Sequence, residues 1–182
     1  MTSSLHPILA ALVAELERDR ALVLAAADRV PPACRDAPPP QGGWSAAQVL
    51  SHLAAVEASS GKLFSVHARR LRDAGAPAET ATDATPIIDG FARFRVHERT
   101  RLVEAPELVL PADGITFEGA REAMAASRAR LLEAIDKASG LALGTVSAPH
   151  PRLGPLTLYE WLLMIARHEV RHAGQLDDLA TA

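Results

Sequence analysis

Four stretches of this chain repeat apolar residues at helical spacing, with proline or glycine clusters between them. That pattern leaves little room for anything but packed helices. The first runs from about Ser4 to Arg29 on Ile8, Leu12, Leu16 and Val23, and Val30-Pro31-Pro32 stops it. After Pro38-Pro39-Pro40 and Gly42-Gly43 the second opens with Ser45 as N-cap and Gln48 as its capping-box partner, and it runs to about Asp73. Trp44 and Val49 stand at the two positions of a hydrophobic staple. Residues 74–115 lose the period and are expected to be irregular, with room for a short helix or strand. A connection that long can cross the bundle, so the next helix can run parallel to the second. The third helix is expected over Thr116 to Ala138 on Ala123, Ala126, Ala129, Leu132 and Ile135. A loop from Gly140 to Pro155 follows, and Thr157 to Trp161 opens the fourth helix with a second capping box and a Leu156/Trp161 staple.

With 48% hydrophobic but only 4% aromatic residues, the core must come from Ala, Leu and Val, which favour or tolerate helix. The expected fold is all-α, a four-helix bundle in one domain over residues 1–182. A chain of 182 residues can bury such a core without a disulfide or a structural metal. Net charge is -3, and no run of Lys and Arg interleaved with aromatics occurs. Nucleic acid is therefore not an expected partner, and neither is a membrane, because no apolar run approaches the ~20 residues needed to span one. Cys34 is the only cysteine, so neither an internal disulfide nor a thiolate metal cluster can form. Met1 to Pro7 carries no secretory pattern, and the expected location is cytoplasmic. Basic charge is almost all Arg, with Lys62 and Lys137 the only lysines, a bias that suits a GC-rich bacterial genome.

The chemistry concentrates on three histidines. His168 and His172 are four residues apart, hence one turn apart on one face. On the helical wheel they fall beside Leu158, Trp161 and Ile165, away from Arg167 and Arg171. His52 shares a stripe with Val49, Val56 and Leu63, so two facing helices can offer three imidazoles to one ion. Imidazole suits zinc, nickel, iron or copper, and three protein ligands leave a position open for water or substrate. Three core histidines, each bonded to its own carbonyl or carboxylate, are the competing reading.

His168-Glu169-Val170-Arg171-His172 also satisfies H-E-x-x-H, in which the glutamate is the general base of a zinc protease. The extended protease motif needs a Gly and a third His where this chain has Gln175 and Asp178. Peptide hydrolysis is therefore the least favoured of the enzymatic readings.

Several motifs resemble the DinB-like (DinB/YfiT) superfamily of bacterial metal-binding four-helix bundles. They are Trp44-Ser45-x-x-Gln48-Val49-Leu50-x-His52-Leu53, then Glu104-Ala105-Pro106-Glu107, Pro111-x-x-Gly114 and Ser127-Arg128-x-x-Leu131. His150 to Thr157 and His168-x-x-x-His172-x-x-Gln175-Leu176 complete the series. The resemblance implies an up-down-down-up bundle with a long crossover between helices two and three, and a metal site at His52, His168 and His172. It further implies a divalent ion, zinc or nickel first and iron or manganese next. Characterised members include bacillithiol transferases and a mycothiol-dependent maleylpyruvate isomerase. The implied activity is thus transfer of a low-molecular-weight thiol, or a related hydrolysis or isomerisation, with a thiol and a small molecule as partners and a homodimer as one assembly open to it. A non-catalytic, stress-related metal- or ligand-binding bundle is the alternative.

Two further residues are candidates for catalysis. Gln175, one turn beyond His172, can bond a ligand or fill a polar gap, and Glu169 can act as base or accept an imidazole N–H. Glu57 is expected to be structural, and His6, His67, His97 and His150 are expected on the surface or in loops. Cys34 lies outside the motifs. Arg93, Arg95, Arg99 and Arg101 make the crossover Arg-rich and able to hold a carboxylate.

Overall fold

In a computed structural model, residues 5–100 and 104–181 are described, so Ser4 at the expected helix start and Arg101 in the crossover lie outside the described residues. The long helices are α1 (Pro7–Arg29), α2 (Ala46–Asp73), α4 (Phe117–Lys137) and α5 (Leu158–Thr181), with a short α3 (Thr85–Phe91) inside the aperiodic segment. Their starts follow local chemistry. Pro7 occupies the first turn of α1, where its missing N–H costs nothing. The Ser45 hydroxyl accepts from the Gln48 N–H at 3.2 Å while the Ser45 N–H donates to Gln48 Oε1 at 2.9 Å. Thr157 and Glu160 make the same reciprocal pair ahead of α5, and the Thr116 hydroxyl caps α4 through the Gly119 N–H.

The all-α expectation holds for the long elements, and the loop expected before the last helix needs one correction. The loop before α5 contains a two-stranded antiparallel hairpin, β1 (Ser147–His150) and β2 (Gly154–Thr157), paired from Ser147 with Thr157 to His150 with Gly154. Pro149 and Pro155 sit opposite each other in it, which is why the segment reads as loop. Gly154 has φ +78°, a left-handed turn residue that closes the hairpin. Ala148 and Leu156 bury its inner face.

α1 packs along α5, and α2 along both α4 and α5. Contacts between paired helices advance in step along the chain: Glu15 with Arg167 and Arg29 with Asp177, then Glu57 with Arg128 and Arg72 with the Lys137 carbonyl. The buried apolar residues form two clusters. One gathers Leu12, Leu16, Phe64, Leu131, Ile135 and Leu162; the other gathers Val23, Leu50, Leu53, Met124 and Leu176. On every long helix the boundary between the two is polar: Asp19 and Arg20 on α1, Glu57 and Ser60 on α2, Ser127 and Arg128 on α4, Glu169 and His172 on α5, all buried. A polar layer therefore crosses the bundle at mid-height. Among the described residues no helix is long and apolar enough to cross a membrane.

Candidate metal centre

The polar layer has two parts, which meet at consecutive residues of α5. Glu169 turns into the bundle. Its carboxylate accepts from Arg20 Nη2 at 2.6 Å and Nε at 3.1 Å, and from Arg128 Nη2 at 3.1 Å. Glu57 accepts from Arg20 Nη2 at 2.9 Å, from Arg128 Nε at 2.7 Å and from the Ser127 hydroxyl. The remaining guanidinium hydrogens reach the Met124 and Leu16 carbonyls, both at 3.0 Å, and Arg128 Nη1 also donates to Glu17 Oε1 at 2.8 Å at the edge of the layer. Two guanidiniums and two buried carboxylates thus balance in a closed set, with the half-exposed Glu17 at its rim. Glu169 is thus not placed beside the ion as base or imidazole acceptor, as its position in the H-E-x-x-H string suggests; its carboxylate lies on the two arginines instead.

His168, one residue earlier, faces a different neighbourhood. One ring nitrogen from each of His52, His168 and His172 lies within 4.8 Å of the others, and the ring centroids are 4.6–5.1 Å apart. His52 Nδ1–H donates to the Val109 carbonyl at 2.7 Å, and His172 Nδ1–H donates to Gln175 Oε1 at 2.9 Å. Both rings then carry their lone pair on Nε2. His172 Nε2 stands 3.2 Å from His168 Nε2, and His168 Nδ1 is buried with no hydrogen-bond partner among the described residues. Whichever nitrogen of His168 holds the proton, the ring is left with an unmet group, and at most one N–H serves the lone pairs of two neighbours.

Burial keeps the rings neutral. It lowers His52 despite the Val109 bond, lowers His168 well below the ordinary value with help from His172 and His52, and takes His172 to about 3. Neutral imidazole is the form that binds metal. Two nitrogens about 2.0–2.1 Å from one tetrahedral ion stand about 3.3 Å apart, and the Nε2 pair at 3.2 Å matches that spacing. The donor set fits a divalent ion. Val109 and Gln175 fix the tautomers of two rings, as outer partners of metal histidines do.

The three histidines lie on the wall of a half-open cavity of about 1130 Å³. Trp44 lines it too, its indole 4.9 Å from the His52 ring and stacked 6.4 Å from the His172 ring. This tryptophan serves the cavity as well as the helix entrance, a role that the staple pattern does not reveal. His150, expected as a loop residue, is carried to the same cavity by the hairpin and packs 5.3 Å from Trp161. Arg171, expected on the outer side, also lines it, as do Arg99 and Arg152. Arg93 is elsewhere, paired with Glu160, and Asp178, the third-ligand candidate of the protease pattern, pairs with Arg99. Cys34 is a half-buried free thiol that does not line the cavity.

No curated protein matches the chain. A solved structure, that of TT2238, a four-helix bundle protein, is similar to it at 22% identity with a TM-score of 0.56, over 93% of this chain and 98% of that one. A family profile matches residues 15–176, spanning the capped second helix, the crossover and all three histidines. The chain belongs to the DinB superfamily.

Proposed function

We propose that this protein is a cytoplasmic metal-dependent enzyme that uses a low-molecular-weight thiol on a small electrophile. Its scaffold would be a single up-down-down-up domain, a topology supported by the in-step contacts of α1 with α5 and of α2 with α4. The observation that carries the reading is the convergence of three neutral imidazoles on the wall of a cavity large enough for two small reactants.

His52, His168 and His172 would hold a zinc or nickel ion. When bound, the ion supplies Lewis acidity that keeps a thiol sulfur deprotonated at neutral pH. The Val109 carbonyl and Gln175 aim the His52 and His172 rings, and the Trp44 indole packs beside both. The thiol proton leaves through the open side of the cavity to solvent. A sulfur lone pair then forms the new S–C bond, while the displaced group leaves with its bonding pair or, in an addition, the adjacent atom takes a proton from solvent. Glu169 acts as a positioning residue, anchoring the turn of α5 that carries His168 through Arg20 and Arg128.

The test is to titrate cobalt-substituted protein with mycothiol, bacillithiol, glutathione and coenzyme A, following sulfur-to-metal charge-transfer absorption, and then to assay electrophile conjugation with each. At least one thiol is expected to perturb the spectrum and support turnover. If none does either, the protein is a metal- or ligand-binding bundle without this chemistry.

A further inference from the structure

We propose that the arginine wall of this cavity is a recognition site for an oxyanion, a carboxylate or phosphoryl group, carried by the small molecule that reacts beside the histidines. The inference rests on the reading that the cavity is where substrate binds, and it adds the chemical class of that substrate.

Three separate elements supply the wall: Arg99 from the crossover, Arg152 from the hairpin turn and Arg171 from α5; Arg95 also lines the cavity but is paired with Glu98, and Glu104 and Asp178 share the lining. They are close enough to feel one another. Burial and then the positive charges of Arg99 and Arg152 hold Arg171 below the ordinary arginine value, and guanidinium remains cationic at any working pH. Each is aimed by a bond of its own. Arg171 donates to the Glu98 carbonyl, Arg152 Nη2 donates to the Glu104 carbonyl at 2.8 Å, and Arg99 pairs with Asp178. A backbone carbonyl orients the Arg152 guanidinium without cancelling its charge. Arg99 lies against α5 at Gly174, where a Cβ would stand 3.0 Å from its Nη1 and 3.1 Å from its Cδ; the missing side chain gives it room on the turn after His172.

A neutral donor completes the wall. His150 Nδ1 accepts the backbone N–H groups of Arg152 and Leu153, each at 3.2 Å, so the neutral ring keeps its proton on Nε2. Guanidinium forks and an imidazole N–H are the donors that recognise carboxylate and phosphoryl oxygens. Arg171 follows His168 by three residues, about 5 Å along the helix axis. Its charge acts on both His168 and His172. A molecule whose anionic group and reacting atom are a few bonds apart would span both stations.

The protein's two tryptophans, Trp44 and Trp161, both line this cavity, so intrinsic fluorescence reports its occupancy. The experiment titrates metal-free protein with succinate, with inorganic phosphate and with neutral succinamide. Succinate or phosphate is expected to bind while succinamide does not, and whichever anion binds more tightly identifies the oxyanion. Arg152→Gln and Arg171→Gln should each weaken that binding about tenfold, the scale of one charge-assisted hydrogen bond. Arg93→Gln, off the cavity, should leave it unchanged, and circular dichroism confirms that each variant is folded. Succinamide binding as well as succinate, binding unaltered in folded Arg152→Gln and Arg171→Gln proteins, or no binding of either anion would overturn the proposal. The two readings fail separately. Arg152→Gln protein should still take up cobalt, and His172→Ala protein, which should not, should still bind the anion.

Discussion

His168 and Glu169 are neighbours in the chain but belong to two buried polar groups built on different rules. The Arg20, Arg128, Glu57 and Glu169 set is closed: its buried opposite charges match in number, and the bonds left over go to Ser127, to backbone carbonyls and, from Arg128, to the half-exposed Glu17. The His52, His168 and His172 set is open: its rings are uncharged, two of them spend their N–H on Val109 and Gln175, and His168 Nδ1 has no partner among the described residues. Of the two, the open set lines the large cavity. A buried network that satisfies itself holds helices in one arrangement, whereas one that does not is waiting for something else. By this comparison the first set is scaffold and the second is the site.

The largest effect should come from breaking the closed set. Glu169→Gln leaves two buried guanidiniums facing Glu57 as their single buried carboxylate, with Glu17 reaching only Arg128 from the surface, and loss of one partner from a buried pair costs about 3–5 kcal/mol. Urea unfolding of metal-free protein should show that loss. A variant of unchanged stability that has lost its turnover would instead make Glu169 the base of the H-E-x-x-H reading and erase the comparison.

A smaller change is expected on the open side. Gln175→Ala removes the acceptor that holds His172 Nδ1–H, and outer partners of this kind are worth about 10–100-fold in metal affinity. Competitive chelator titration would measure it, with unfolding stability of the metal-free protein little altered. Equal loss of stability in Gln175→Ala and Glu169→Gln would mean that the two sets are one structural network.

The smallest effect near neutrality concerns acid. His172 titrates at about 3 in the folded chain against an ordinary value of 6.5, because burial and then His52 disfavour its charge. The unfolded chain therefore binds the proton more readily. Metal-free protein should keep its full His172 contribution above pH 6.5 and lose it progressively as pH falls toward 3. Denaturation curves in that window should show the decline, and His172→Ala should flatten it.

The sequence made one side of this comparison legible and hid the other. His52, His168 and His172 sit at helical spacing within apolar stripes, and their shared direction follows from local geometry alone. Both capping boxes and the helix ends at Arg29 and Asp73 were legible for the same reason, since each depends on residues a few positions apart. The closed set pairs groups 37 to 149 positions apart, and Arg20 or Arg128 in isolation reads as solvated surface. His150 and Trp44 became cavity residues only through the hairpin and the connector that carry them, and paired prolines disguised the hairpin. Arg171 shows the limit of the helical wheel. It sits at the edge of the inward stripe, and the crossover folded over that edge turns it into a wall.

Whether one divalent ion completes the open set is decided by X-ray absorption of zinc-loaded protein together with metal stoichiometry. One zinc per chain is expected, with three imidazole nitrogens at about 2.0–2.1 Å, and that signal should be lost in a folded His172→Ala variant. Failure to bind zinc, or an identical zinc environment in His172→Ala, would contradict it.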